Sequence, residues 1–139
     1  MSIDDTFGPL SNYEDVCAFH EKFGLMPKGT VPKSLDSTTA KFRILFLEEE
    51  LNEFKQAVAT NDLEGMADAL IDLVYVAMGT SVLMQLPWQQ LWDEVQRANM
   101  TKVRADDETQ SKRGSNLDVI KPAGWIGPDI KGVLANAGK

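Results

Sequence analysis

Met66-Ala67-Asp68-Ala69-Leu70-Ile71-Asp72-Leu73-Val74-Tyr75-Val76 reads as a helix that is apolar on nearly every side, yet carries two aspartates one turn apart. Leu63, Met66, Leu70, Ile71, Leu73, Val74, Val76 and Met78 spread round most of its circumference, which predicts the central helix of a helical fold, from Asn61 or Asp62 to about Met84. The apolar run over about residues 69–86 is broken by Asp72, Gly79, Thr80, Ser81 and Gln85, so it reads as a buried helix and not a membrane span. At least Asp72 should then be buried or half-buried. A buried unpaired carboxylate costs several kcal/mol, so it must be protonated, paired or bound to metal. No Lys or Arg lies between Lys55 and Arg97, so the helix offers no local cation.

Upstream, a long helix is predicted from about Ser37 to Thr60, with Ile44, Leu47, Leu51, Phe54 and Val58 as its buried stripe. Within it stands Leu47-Glu48-Glu49-Glu50-Leu51-Asn52-Glu53-Phe54. At roughly 100° per residue, Glu49, Glu50 and Glu53 share one flank. Like charges at i, i+3 and i, i+4 repel, and a divalent cation would offset that. Each helix alone has a plainer reading. The glutamates can be a solvated face, and Asp68 and Asp72 can hydrogen-bond to a neighbouring helix or another subunit. Taken together, three glutamates and two aspartates on consecutive helices can converge on an all-oxygen site. Hard oxygen donors select Mg²⁺, or Mn²⁺ in its place, over zinc.

The remainder of the chain completes an all-α reading: an antiparallel bundle of about four to five helices in one domain over 1–139, completed by oligomerisation. Residues 1–11 form a loose lead-in. Ser11 or Asn12 caps a first helix to about Phe23, with Gly24 as its stop and Val16, Phe19 and Phe23 on one face. Residues 24–36 are a loop. Pro87 opens a fourth helix to about Lys102, with Leu91, Val95 and Trp88 or Trp92 as its stripe. Residues 103–127 are polar and rich in turn formers, with no convincing strand pattern, and a short helix follows from Pro128 to about Ala137.

Composition narrows the function classes. The formal charge of −7 leaves no electrostatic footprint for duplex nucleic acid or an anionic membrane. With one cysteine, Cys17, and one histidine, His20, zinc sites, Cys-His nucleophiles and Glu-x-x-His di-iron motifs all lack parts. Cys17 reads as a small core residue and His20 as a boundary residue. The acidic start Met1-Ser2-Ile3-Asp4-Asp5 has no apolar signal region, and a reduced cytoplasmic location is expected.

On these residues the sequence resembles the all-α NTP pyrophosphatases, which include MazG, dimeric dUTPases and phosphoribosyl-ATP pyrophosphohydrolase. The matching motifs are Glu49-Glu50-Leu51-Asn52-Glu53, Asp68-Ala69-Leu70-Ile71-Asp72-Leu73-Val74-Tyr75, Arg97-Ala98-Asn99-Met100-Thr101-Lys102 and Lys121-Pro122-Ala123-Gly124-Trp125. Phe19-His20-Glu21-Lys22-Phe23-Gly24 is similar to that family's first helix. One departure is visible. Many members carry a glutamate where this chain has Ala69, and here the acid is Asp68, one position earlier and shorter.

The resemblance implies Mg²⁺-dependent hydrolysis of a (deoxy)nucleoside triphosphate to monophosphate and pyrophosphate, in nucleotide-pool housecleaning on dUTP or another dNTP, by a homodimer or homotetramer. It implies Glu49, Glu50, Glu53, Asp68 and Asp72 as metal ligands, with Asp72 the better founded of the two aspartates. Glu50 is expected to orient and deprotonate the water, or to be a further ligand. Asn99, Lys102 and Lys121 are expected at the phosphates, with Lys112 and Arg113 in the same basic loop, and Trp125 is expected to pack that loop. The alternatives are a non-enzymatic helical adaptor and a pyrophosphohydrolase of a phosphoribosyl-ATP-like substrate.

Overall fold

Side-chain caps set the helix starts in a computed structural model that describes residues 11–137. Ser11 forms a capping box with Glu14 and opens α1, Asn12–Lys22. Asp36 accepts from the Thr39 N–H at 2.8 Å and opens α2, Ser37–Ala59. Asp62 accepts from the Gly65 N–H at 3.0 Å and opens α3, Leu63–Met84. Pro87 precedes α4, Trp88–Asn99, and Asp129 caps α5, Ile130–Asn136. Gly24 takes a left-handed φ of 68° just past α1, the geometry a glycine stop supplies. The expected lead-in before Ser11 lies outside the described residues.

The described residues divide into two compact units, one ending at Leu86 and the other running from Pro87 to Ala137. In the first, α2 and α3 form an antiparallel hairpin joined through Thr60, Asn61 and Asp62. Gly65 lies against Ala57, and Arg43 reaches Val76 and Thr80, so the pairing steps outward from the link. α1 also runs antiparallel to α3: the Tyr13 and Ser81 hydroxyls are 3.1 Å apart, and Phe19 meets Tyr75 edge to face. α3 is long and apolar enough to cross a membrane, a property that core helices of soluble proteins share.

The predicted stripe of α2 needs correction. Its buried residues are Arg43, Glu50 and Ala57, spaced seven apart and facing α3. Ile44, Leu51 and Val58 are about half exposed, as are Leu70 and Val74 on α3, and Ile71 is more exposed still. Within one chain α3 is therefore buried at Ala69 and then, towards its C-terminal end, most of the way round, at Val76, Met78, Gly79, Ser81 and Val82, while Leu63, Leu70, Ile71 and Val74 in its earlier part stay exposed. Phe19 and Phe23 are also partly exposed beside the buried Val16.

His20 departs from the boundary reading as well, being 3% exposed. It shares a polar core with Arg43, whose Nε donates to Thr80 Oγ1 at 3.0 Å and whose Nη2 donates to the Val76 carbonyl at 2.9 Å. Gly79 makes room for both. A Cβ at that position would lie 2.7 Å from His20 Nε2 and 2.8 Å from Arg43 Nη2.

In the second unit, α4 ends at Asn99, a few residues before the expected Lys102, and Trp92 is exposed. Glu94 binds Arg97 at 2.7 Å and accepts from the Asp129 N–H at 3.0 Å, tying α5 to α4. The segment read as strandless holds a minimal antiparallel ladder of β1, Val103–Arg104, and β2, Val119–Ile120. Two-residue strands are too short to display a period of two. The fold is otherwise helical, with five α-helices among the described residues, in agreement with the all-α expectation.

Candidate active site

The α2–α3 hairpin brings carboxylates of both helices together. Glu50 and Glu53 on α2 and Asp72 on α3 each offer an oxygen within 4.8 Å of the others. Glu50 is buried, Asp72 half-buried and Glu53 exposed, so the cluster runs from the helix interface to the surface. The three-residue link fixes this register. It sets Ala57 beside Gly65 and, two turns further on, Glu50 and Glu53 beside Asp72.

The electrostatics are those of a site with surplus negative charge. Burial, the hydrogen-bonding neighbour Glu53, and the charges of Glu53, Asp72 and Glu49 push the Glu50 carboxyl up to about 7. Burial, then Asp68, then Glu53 raise Asp72 as well. No Lys or Arg forms an ion pair with these groups among the described residues. Glu50 Oε2 is buried without a hydrogen-bond partner among the described residues. All-oxygen donors, an orphaned buried acceptor and mutual repulsion together fit a hard divalent cation.

The other expected site residues lie elsewhere. Glu49 and Asp68 are exposed and outside the close trio. With Glu53 and Asn52 they line an open groove of about 630 Å³ along the hairpin. Asp68 is near enough to act on Asp72, and Glu49 on Glu50, through charge.

In the second unit, Asn99 ends α4, and Lys102 and Lys121 line a pocket of about 580 Å³. Trp125 packs as expected. Its indole N–H donates to the Ala98 carbonyl at 3.0 Å and to Thr101 Oγ1 at 2.8 Å. Sequence reasoning passed over the Arg43–His20 core, and the sole hint of it was a glycine inside an apolar helix.

The chain matches the phosphoribosyl-ATP pyrophosphohydrolase family over residues 16–99, from α1 through α4. It belongs to that family. No curated protein matches the chain. Membership in the phosphoribosyl-ATP pyrophosphohydrolase family makes this a pyrophosphohydrolase acting on a nucleotide-like substrate. Members of the family commonly depend on a divalent metal, and in this chain the Glu50, Glu53 and Asp72 cluster is the place that could bind one.

Proposed function

We propose that this chain hydrolyses a (deoxy)nucleoside triphosphate to the monophosphate and pyrophosphate with Mg²⁺, or Mn²⁺ in its place. The observation that carries the reading is the convergence of Glu50, Glu53 and Asp72 on one point, with a buried oxygen of Glu50 left over. Glu50, Glu53 and Asp72 would hold the metal, and Glu49 and Asp68 would act from the second rank through water. A bound divalent ion supplies charge neutralisation at the phosphate oxygens. Glu50 takes a proton from the attacking water or serves as a further ligand only. Asn99 donates to a phosphate oxygen, and Lys102 and Lys121 supply positive charge, which is most of what phosphoryl transfer asks of a protein.

A second reading, a phosphoribosyl-ATP substrate, is favoured by the family that the chain matches. Both readings break a phosphoanhydride bond and release pyrophosphate. A panel of dUTP, dCTP, dATP, dGTP and phosphoribosyl-ATP, scored for pyrophosphate, separates them. Turnover of a dNTP alone supports the first and turnover of phosphoribosyl-ATP alone the second. No pyrophosphate from any of them leaves the adaptor reading.

The proposal treats 1–139 as one functional domain, working in the cytoplasm as a homodimer or homotetramer, without nucleic-acid or membrane partners. The half-exposed apolar residues Ile44, Leu51, Leu70 and Val74, with the more exposed Ile71, support self-association, since such a surface seeks cover from water.

A further inference from the structure

Residues 87–139 carry eight of the fourteen basic residues but seven of the twenty-one acidic ones. Half of those basic side chains gather at one place. Lys102, Lys112, Arg113 and Lys121 line the pocket of about 580 Å³ together with Gln110 and a single carboxylate, Asp118.

The ladder explains how the lysines meet. β1 and β2 pair Val103 with Ile120 and Arg104 with Val119, so one step further the same register sets Lys102 opposite Lys121. Both ammonium groups lie over the Trp125 ring, at 5.2 and 5.1 Å from its centre. Like charges opposite one another on an antiparallel pair repel. Neither lysine has an ion-pair partner among the described residues, and nor does Lys112.

Asp118 does not relieve this excess. Its Oδ2 accepts from Ser111 Oγ at 2.6 Å, and its Oδ1 accepts from Arg113 Nη2 at 2.6 Å and from the Val119 N–H at 2.9 Å. Those bonds, Ser111 first and Arg113 next, hold its carboxyl down at about 2. Asp118 thus positions Arg113 and the turn, and the three lysines are left without a carboxylate partner among the described residues. Gln110 is fixed in turn, accepting from the Asp106 N–H at 2.6 Å.

We propose that this pocket binds a polyphosphate anion, of pyrophosphate length or longer, without a metal. Three lysines beside the Arg113–Asp118 pair in one concave pocket exceed what a single orthophosphate can neutralise. A long nucleic-acid chain is disfavoured by the overall charge of −7. Every residue of the pocket lies beyond Asn99, where the family match ends; the resemblance in sequence implies only Lys102 and Lys121 at the phosphates, with Lys112 and Arg113 in the same loop, and names neither Gln110 nor Asp118. The inference deepens the proposed function, resting on its assignment of Lys102 and Lys121 to phosphates, and adds Gln110, Lys112 and Arg113 as binding residues and Asp118 as a positioning residue.

The test is isothermal titration of the full chain in excess EDTA with inorganic pyrophosphate, tripolyphosphate, orthophosphate and a nucleoside triphosphate. Pyrophosphate and tripolyphosphate should bind, and orthophosphate at least tenfold more weakly. Lys102→Gln/Lys112→Gln should weaken pyrophosphate at least tenfold, and the exposed Lys112→Gln alone severalfold with its circular dichroism unchanged. Lys41→Gln, at an exposed lysine of the first unit, should leave binding as it was. Tighter binding of the triphosphate assigns the pocket to a substrate's phosphate tail, and tighter binding of free pyrophosphate assigns it to the product. Absence of metal-free binding would overturn the proposal. Equal affinity for orthophosphate, or full binding in Lys102→Gln/Lys112→Gln, would do the same. The result stands apart from the hydrolase reading, because Mg²⁺-dependent turnover can fail while metal-free binding persists, and the reverse.

Discussion

At position 50 a carboxylate is buried with acids around it and, among the described residues, no cation paired with it. That arrangement has a measurable sign. The folded chain holds the Glu50 proton up to about pH 7, well above the ordinary carboxylate range that the unfolded chain keeps. Its contribution to stability is therefore intact below the unfolded value and is lost as pH rises towards 7. In EDTA, Glu50→Gln should unfold at a higher temperature than the parent at pH 8, by the order of 1–3 kcal/mol that an unsatisfied buried acceptor costs. The difference should shrink towards pH 5. Thermal melts across that range check it, and a variant less stable at pH 8 would speak against a strained carboxylate.

Gly79 is the second residue whose role is fixed by what surrounds it. Gly79→Ala would drive a methyl into His20 and Arg43, both buried, with Arg43 held by Thr80 and the Val76 carbonyl. Overpacking of this kind costs about 1–3 kcal/mol. Urea unfolding should show a loss in that range, and an unchanged midpoint would mean that the two side chains yield freely.

Among the elements, the helices of the first unit were largely legible. Ser11, Asp36 and Asp62 are capping residues in front of apolar periodicity, and the helix starts fall where they stand. Ser11→Ala should remove the capping box and lower stability by about 1 kcal/mol, read from denaturant unfolding. The close trio was half legible. Spacing put Glu50 and Glu53 on one flank of α2, but which of Asp68 and Asp72 meets them depends on the hairpin register, and the link residues alone do not reveal that. The ladder was illegible because strands of two residues hold no pattern. The buried stripe of α2 was misjudged for a physical reason: the side facing α3 is built on Arg43, Glu50 and Ala57, two charged residues and a small one, while the larger aliphatic residues Ile44, Leu51 and Val58 face outward.

For the whole molecule, those outward aliphatic residues carry a prediction of their own. Light scattering on the purified chain should give the mass of a dimer or tetramer. Ile44→Asp/Ile71→Asp should shift it towards the monomer, since a charge in an apolar contact is strongly unfavourable. A monomeric parent would leave the exposed face without this explanation.

If the α2–α3 carboxylates serve a metal-dependent pyrophosphohydrolase, turnover depends on them. Pyrophosphate and orthophosphate release should be followed with Mg²⁺ and in EDTA, using the substrate that the panel selects, for the parent, Glu50→Gln and Asp72→Asn. Pyrophosphate release should depend on Mg²⁺ and fall by orders of magnitude in each variant while circular dichroism shows the fold intact. Full activity in either variant would contradict that role.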